Sequence, residues 1–142
     1  MTRPREMARI LVVEDNPDNL ELMTYLLQAS GHTVTVATTG NRGLDLARHC
    51  VTDLVVLDVQ LPDQSGYDVL AELRSEPALA ELPVIAVTAN AMVGDRDQAL
   101  AAGFDGYLPK PIDPRSFARM IDERLPEDLR GHAPRQRWSA DG

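Results

Sequence analysis

Between residues 8 and 125 a short β-rich run gives way to a helical pattern five times in succession, and no other feature narrows the fold as far. The runs are ARILVVE (8–14), HTVTVA (32–37), DLVVLD (53–58), PVIAVT (83–88) and the weaker DGYLP (105–109). The first helical pattern opens at Asn16-Pro17, a capping residue followed by a proline at the first helical position, and puts Leu20, Met23 and Leu27 on one face before Gly31. The second spans about 40–50 with Leu44, Ala47 and Cys50. The third starts near Gly66 with Val69, Leu70 and Leu73. The fourth runs from about Met92 to Ala102, interrupted by Gly94. The fifth repeats the opening as Asp113-Pro114 and carries Phe117, Met120, Ile121 and Leu125. Strands and helices in strict alternation predict an α/β fold, a parallel sheet with helices on both faces. Continuous apolar runs such as LVVL (54–57) fit strands covered on both sides.

A chain of 142 residues with 44% hydrophobic and 25% charged residues has room for a single packed core. Its longest apolar runs are a few residues, far short of the roughly 18 that a membrane span needs. The first ten residues hold no apolar segment of the kind a secretory signal uses. A lone Cys50 fits a reducing, cytoplasmic setting. A net charge of −8 argues against non-specific nucleic-acid binding by the chain as a whole. Residues 126–142, PEDLRGHAPRQRWSADG, read as a polar, disordered tail behind a domain of residues 8–125. The tail's Arg130, Arg135, Arg137 and Trp138 read as an extension rather than as a nucleic-acid contact.

In such a fold the functional crevice lies at the carboxyl ends of the strands. Strand one ends there in Glu14-Asp15, strand three in Asp58 and strand four in Thr88. Strand five leads into Lys110, the single lysine of the chain. Taken singly these residues are ordinary: an acidic pair at a helix start, a turn aspartate, a β-forming threonine, a packed tyrosine at 107. Their joint placement on one rim is not ordinary. Carboxylates within about 5 Å of each other repel unless a cation joins them or one takes up a proton. Oxygen ligands without histidine or cysteine suit Mg²⁺. A lysine adds a compact point charge matched to a phosphoryl oxygen, and an aspartate beside both can serve as a nucleophile that forms an acyl phosphate.

The segments VVEDN (12–16), LVVLDVQLPDQSG (54–66), VIAVTANAM (84–92) and DGYLPKPID (105–113) resemble the receiver domain of two-component response regulators, in order and over residues 8–125. The resemblance implies a doubly wound, flavodoxin-like sheet of five parallel strands in the order 2-1-3-4-5. It implies that Asp58 is the phosphoacceptor and takes a phosphoryl group from a sensor histidine kinase or a histidine phosphotransfer protein. Mg²⁺ would be held by Glu14, Asp15, Asp58 and the backbone carbonyl of Gln60. Thr88 and Lys110 would serve the phosphoryl group, Thr88 and Tyr107 would form the switch, and the Lys110–Pro111 bond would be cis. Gln60 and Asn90 fall at positions that influence phosphoryl lifetime in relatives.

TANAM (88–92) followed by GDRDQALAAGFDGYLPKP (94–111) resembles receivers of hybrid kinases and stand-alone phosphorelay receivers more than those fused to DNA-binding domains. This implies a signalling switch rather than an enzyme, without a DNA-binding domain. Output would pass to a downstream effector protein or onward by phosphotransfer, from a monomer or a weak phosphorylation-linked dimer. Three rivals fare worse. A haloacid-dehalogenase-type phosphatase wants a second acid two residues after its nucleophile, where Gln60 stands. A flavodoxin-like cofactor binder wants a phosphate cradle after strand one, where Glu-Asp-Asn-Pro-Asp would repel phosphate. A pseudo-receiver, a scaffold that binds partners without phosphorylation, has no use for an intact Glu14, Asp15, Asp58, Thr88 and Lys110 set.

Overall fold

The computed structural model describes residues 8–89, 92–126 and 129. Residues 127, 128 and 130–142 of the tail, and Asn90, lie outside the described residues. The five strands are β1 (Arg9–Val13), β2 (Thr33–Ala37), β3 (Leu54–Asp58), β4 (Val84–Thr88) and β5 (Gly106–Pro109). They alternate with α1 (Pro17–Ala29), α2 (Gly40–His49), α3 (Gly66–Ser75), α4 (Asp95–Ala102) and α5 (Pro114–Arg124). All pairings are parallel, in the order β2-β1-β3-β4-β5. This is the flavodoxin-like arrangement, and it answers the sequence pattern element for element.

The two-residue period of the strands divides the core into two layers. Leu11, Val13, Val55, Leu57, Val84 and Ala86 point to the side where Leu44 and Ala47 of α2 and Val69, Leu70 and Leu73 of α3 pack. Ile10, Val12, Leu54, Val56, Ile85 and Val87 point to the other side, against Met23 and Leu27 of α1 and Phe117 and Ile121 of α5. Each of these strand residues is at most 2% exposed. Burying one such aliphatic side chain stabilises the fold by about 1.5–3 kcal/mol, so the two layers carry most of its stability.

The helix starts use the caps visible in the sequence. Asn16 Oδ1 accepts the amides of Asp18 (3.0 Å) and Asn19 (3.1 Å), and Asp113 Oδ2 accepts that of Ser116 (2.9 Å). Two local expectations shift. The fourth helix does not begin at Met92: Gly94 stands outside it with φ +92°, a left-handed conformation that glycine adopts without a steric penalty, and α4 starts at Asp95. Cys50 does not join the buried face of α2; the helix ends at His49, and Cys50 is extended and exposed. Among the described residues no helix is long and apolar enough to cross a membrane.

Candidate functional site

β1 and β3 are neighbours, while their following helices cross the sheet in opposite directions to β2 and β4. The loops that leave their carboxyl ends therefore diverge, and a crevice opens between them. Glu14 follows β1 and is anchored by its amide to the Ala37 carbonyl of β2 (2.9 Å); Asp58 is the last residue of β3. Both are buried, at 0% and 4% exposure, whereas Asp15 faces solvent. One carboxylate oxygen from each of Glu14, Asp15 and Asp58 lies within 4.8 Å of the other two.

Lys110 closes the group from β5. Its amide donates to the Thr88 carbonyl (2.8 Å), which fixes the chain beyond β5 against the end of β4. Its ammonium reaches Glu14 Oε1 at 2.8 Å and donates to Asp58 Oδ2 at 3.0 Å. The peptide bond to Pro111 is cis. Asp58 Oδ1 accepts the Gln60 amide (3.0 Å), so each oxygen of Asp58 is oriented by a different donor. Behind Asp58 the start of α3 comes close: a Cβ on Gly66 would stand 2.5 Å from the Asp58 carbonyl oxygen, which no side chain tolerates against backbone. Above these groups lies an open cleft of about 600 Å³, bordered also by Asn16, Leu61, Pro62 and Ala89.

The charge balance is uneven. Burial pushes the Glu14 carboxyl above its ordinary value and the Asp58 charge adds to the push, while the Lys110 hydrogen bond and the Asn16 amide oppose it. Burial alone would lower the Lys110 ammonium, but its hydrogen bonds to Glu14 and Asp58 outweigh that and raise it. A single ammonium thus serves a rim of three carboxylates that contains no histidine or cysteine. That donor set, still short of positive charge, fits a small oxygen-seeking cation such as Mg²⁺.

Thr88 is 5% exposed at the end of β4. Tyr107 on β5 is buried too, at 7% exposure. Its hydroxyl has no hydrogen-bond partner among the described residues. A cavity of about 170 Å³ is bordered by Thr88, Tyr107, Tyr67, Gln60 and, on α4, Asp95 and Gln98. Burial, and after it the nearby Asp95 charge, raise the Tyr107 phenol above its ordinary value.

The structure therefore brings Glu14, Asp15, Asp58, Gln60 and Lys110 into one cleft and sets Thr88 and Tyr107 around an adjoining cavity. Sequence reasoning missed Asp63. Its two carboxylate oxygens accept the amides of Gly40 (2.7 Å) and Asn41 (2.9 Å) at the start of α2. Partners 22 and 23 residues apart leave no local mark, and the only hint was an acid in a tight loop behind the phosphoacceptor candidate.

Residues 10–122 match the family model of the response regulator receiver domain. The chain is 40% identical over 116 residues to the polar-differentiation response regulator DivK of Brucella ovis, covering 82% of this chain and 94% of that protein. A crystallised CheY-like receiver domain protein from Methanospirillum hungatei is 30% identical with a TM-score of 0.77, over 86% of this chain and 96% of that one. The receiver domain of a Pseudomonas aeruginosa sensor histidine kinase, crystallised with a magnesium ion coordinated in its active-site cleft, is 34% identical with a TM-score of 0.75, over 82% and 95% of the two chains.

Proposed function

This chain belongs to the response regulator receiver domain family, and from that premise we propose that it is a Mg²⁺-dependent phosphoryl switch with Asp58 as its phosphoacceptor. The observation that carries the reading is the Asp58 carboxylate, buried at the cleft floor with one oxygen on the Gln60 amide and the other on Lys110. Phosphoryl transfer depends mostly on positioning and on neutralising charge; the held Asp58 carboxylate supplies the first, and Lys110 with a bound cation would supply the second.

In the reaction an Asp58 oxygen forms a bond to phosphorus as the bond from phosphorus to a donor's imidazole nitrogen breaks, and the imidazole leaves with that electron pair. Glu14, Asp15, Asp58 and the Gln60 carbonyl would hold Mg²⁺, which would supply neutralising positive charge to the site. Lys110, freed from part of its pairing with Asp58, would follow the phosphoryl group as a point charge. Thr88 would turn its hydroxyl to a phosphoryl oxygen.

The acyl phosphate carries up to about −2 where the Asp58 carboxylate carried −1, so the rim gains about one negative charge. With Thr88 drawn to the phosphoryl group, the cavity between Thr88, Tyr107 and α4 would repack around the Tyr107 ring, and the change would reach the surface there. A partner reading α4, β5 and α5 would sense it. The phosphodonor would be a histidine kinase or histidine phosphotransfer protein in the cytoplasm, and output would go to an effector protein or onward in a relay. DivK of Brucella, covered over 94% of its length, supports the reading of a receiver that works without a fused output domain.

The test is intact-protein mass spectrometry after incubation with acetyl phosphate and Mg²⁺. A Mg²⁺-dependent gain of about 80 Da, one phosphoryl group, is expected in the wild type and not in Asp58→Asn. No gain together with no Mg²⁺ binding would overturn the proposal and leave a protein-binding scaffold.

A further inference from the structure

The loop from Val59 to Ser65 carries Gln60, whose amide orients Asp58 and whose carbonyl is the fourth ligand of the reading above. Its base is narrow. Gln60 and Ser65 face each other in an antiparallel bridge, and the Gly66 amide donates to the Val59 carbonyl at 2.7 Å. Its tip is held from a distance: Asp63 accepts the Gly40 and Asn41 amides, and the Gln64 side-chain amide donates to Asn41 Oδ1 at 2.9 Å.

The first turn of α2 has few other uses for these donors. A helix begins with amides that have no partner inside it. At α2 the Thr39 hydroxyl takes the Arg42 amide (3.1 Å) and the Thr39 carbonyl takes the Gly43 amide (3.0 Å), which leaves Gly40 and Asn41 to Asp63. A carboxylate at a helix N-terminus also lies favourably in the field of the helix. The same two amides favour the ionised form of Asp63. The helix start and the loop tip thus complete each other.

We propose that Asp63 is a positioning residue of the acidic site: by clamping the 59–65 loop to the start of α2 it holds Gln60, and through Gln60 the Asp58 carboxylate, in the arrangement that binds the cation. The inference rests on the reading of this cleft as a Mg²⁺-dependent phosphoryl site. It makes two separate predictions about helix α2. Loss of Asp63 should loosen the loop and the cation site together. Loss of the Thr39 hydroxyl should free only the Arg42 amide and leave the Gly40 and Asn41 amides on Asp63, and the loop, in place.

The experiment is calorimetric titration of Mg²⁺ into the full chain, for wild type, Asp63→Ala, Asp63→Asn and Thr39→Ala. Residues that support metal ligands from outside typically cost 10–100-fold in affinity when removed, so Asp63→Ala should raise the Mg²⁺ Kd about tenfold. Asp63→Asn keeps one acceptor oxygen and should fall between it and wild type. Thr39→Ala should stay within about twofold of wild type, as expected for sites that share no partner. A wild-type Kd in Asp63→Ala, or equal weakening in Asp63→Ala and Thr39→Ala, would overturn the proposal. Amide hydrogen exchange at Gln60 and Gly66 in the metal-free protein supplies the second readout, with faster exchange expected in Asp63→Ala and not in Thr39→Ala. Should the wild type bind no Mg²⁺, the functional reading fails, and exchange alone decides whether the clamp exists.

Discussion

The sheet carries a charged cluster at each end, and the two are built to opposite rules. At the amino ends of β4 and β5, Arg74 donates to the carbonyls of Ala80 (3.2 Å), Leu82 (2.7 Å) and Gly103 (2.8 Å) and to the Asp105 carboxylate (3.0 Å). The same Asp105 oxygen accepts the Val84 amide at 2.8 Å, and Arg124 donates to the Asp105 carbonyl at 2.6 Å. The cation is matched there by acceptors on all sides. At the carboxyl ends, one ammonium is divided between Glu14 and Asp58, with Asp15 close by and a cleft above. A network with its partners in place holds loops together and asks for nothing more. One left short of positive charge weakens the fold and keeps its affinity for a cation.

The harshest way to test this contrast is to remove the one cation of the site. Lys110→Ala leaves buried carboxylates without their counter-charge, and breaking such a pair costs about 3 kcal/mol. Urea unfolding at neutral pH should report that loss, and millimolar Mg²⁺ should restore part of it. If the variant were as stable as wild type without Mg²⁺, Lys110 would not be what holds the rim together.

The opposite end should respond with a smaller loss and no functional echo. Arg74→Ala removes hydrogen bonds to carbonyls and a carboxylate near the surface, at a cost of about 2 kcal/mol. Its Mg²⁺ affinity should match wild type, because no partner of Arg74 belongs to the cleft. A weakened Mg²⁺ site in this variant would mean that the two ends are coupled through the sheet.

The same contrast explains what could be read from sequence. The acidic rim was legible because strand ends are predictable from hydrophobic runs, and parallel topology forces those ends together. Glu14, Asp58, Thr88 and Lys110 were found by that logic alone, and the roles proposed for them rest on the resemblance. The strand order itself came from the resemblance, since local patterns do not say which strands pair. The Arg74 network was illegible: most of its acceptors are backbone carbonyls, which any residue provides. Asp63 was hidden for the same reason, its donors being amides of Gly40 and Asn41. The start of α4 was misjudged because the apolar pattern through Met92 and Val93 continues past the point where Gly94 turns left-handed.

The finest test of the contrast concerns its sign. Glu14 has a folded-state pKa above its ordinary 4.5, so ionising it weakens the fold. That penalty is absent below 4.5, grows as pH rises through the raised folded value, and is then present in full. Glu14→Gln removes the ionisation. It should therefore be more stable than wild type near neutral pH, with the gain fading as pH falls toward the ordinary carboxylate range. The same variant should bind Mg²⁺ more weakly, since a carboxylate oxygen leaves the rim. A substitution that stabilises the fold while damaging the site is the signature of a cluster kept for function. Arg74→Ala, which gains nothing at any pH, is its counterpart at the satisfied end. Loss of stability in Glu14→Gln at neutral pH would mean that the pairing of Glu14 with Lys110 outweighs the cost of its burial, and the two ends would then obey the same rule.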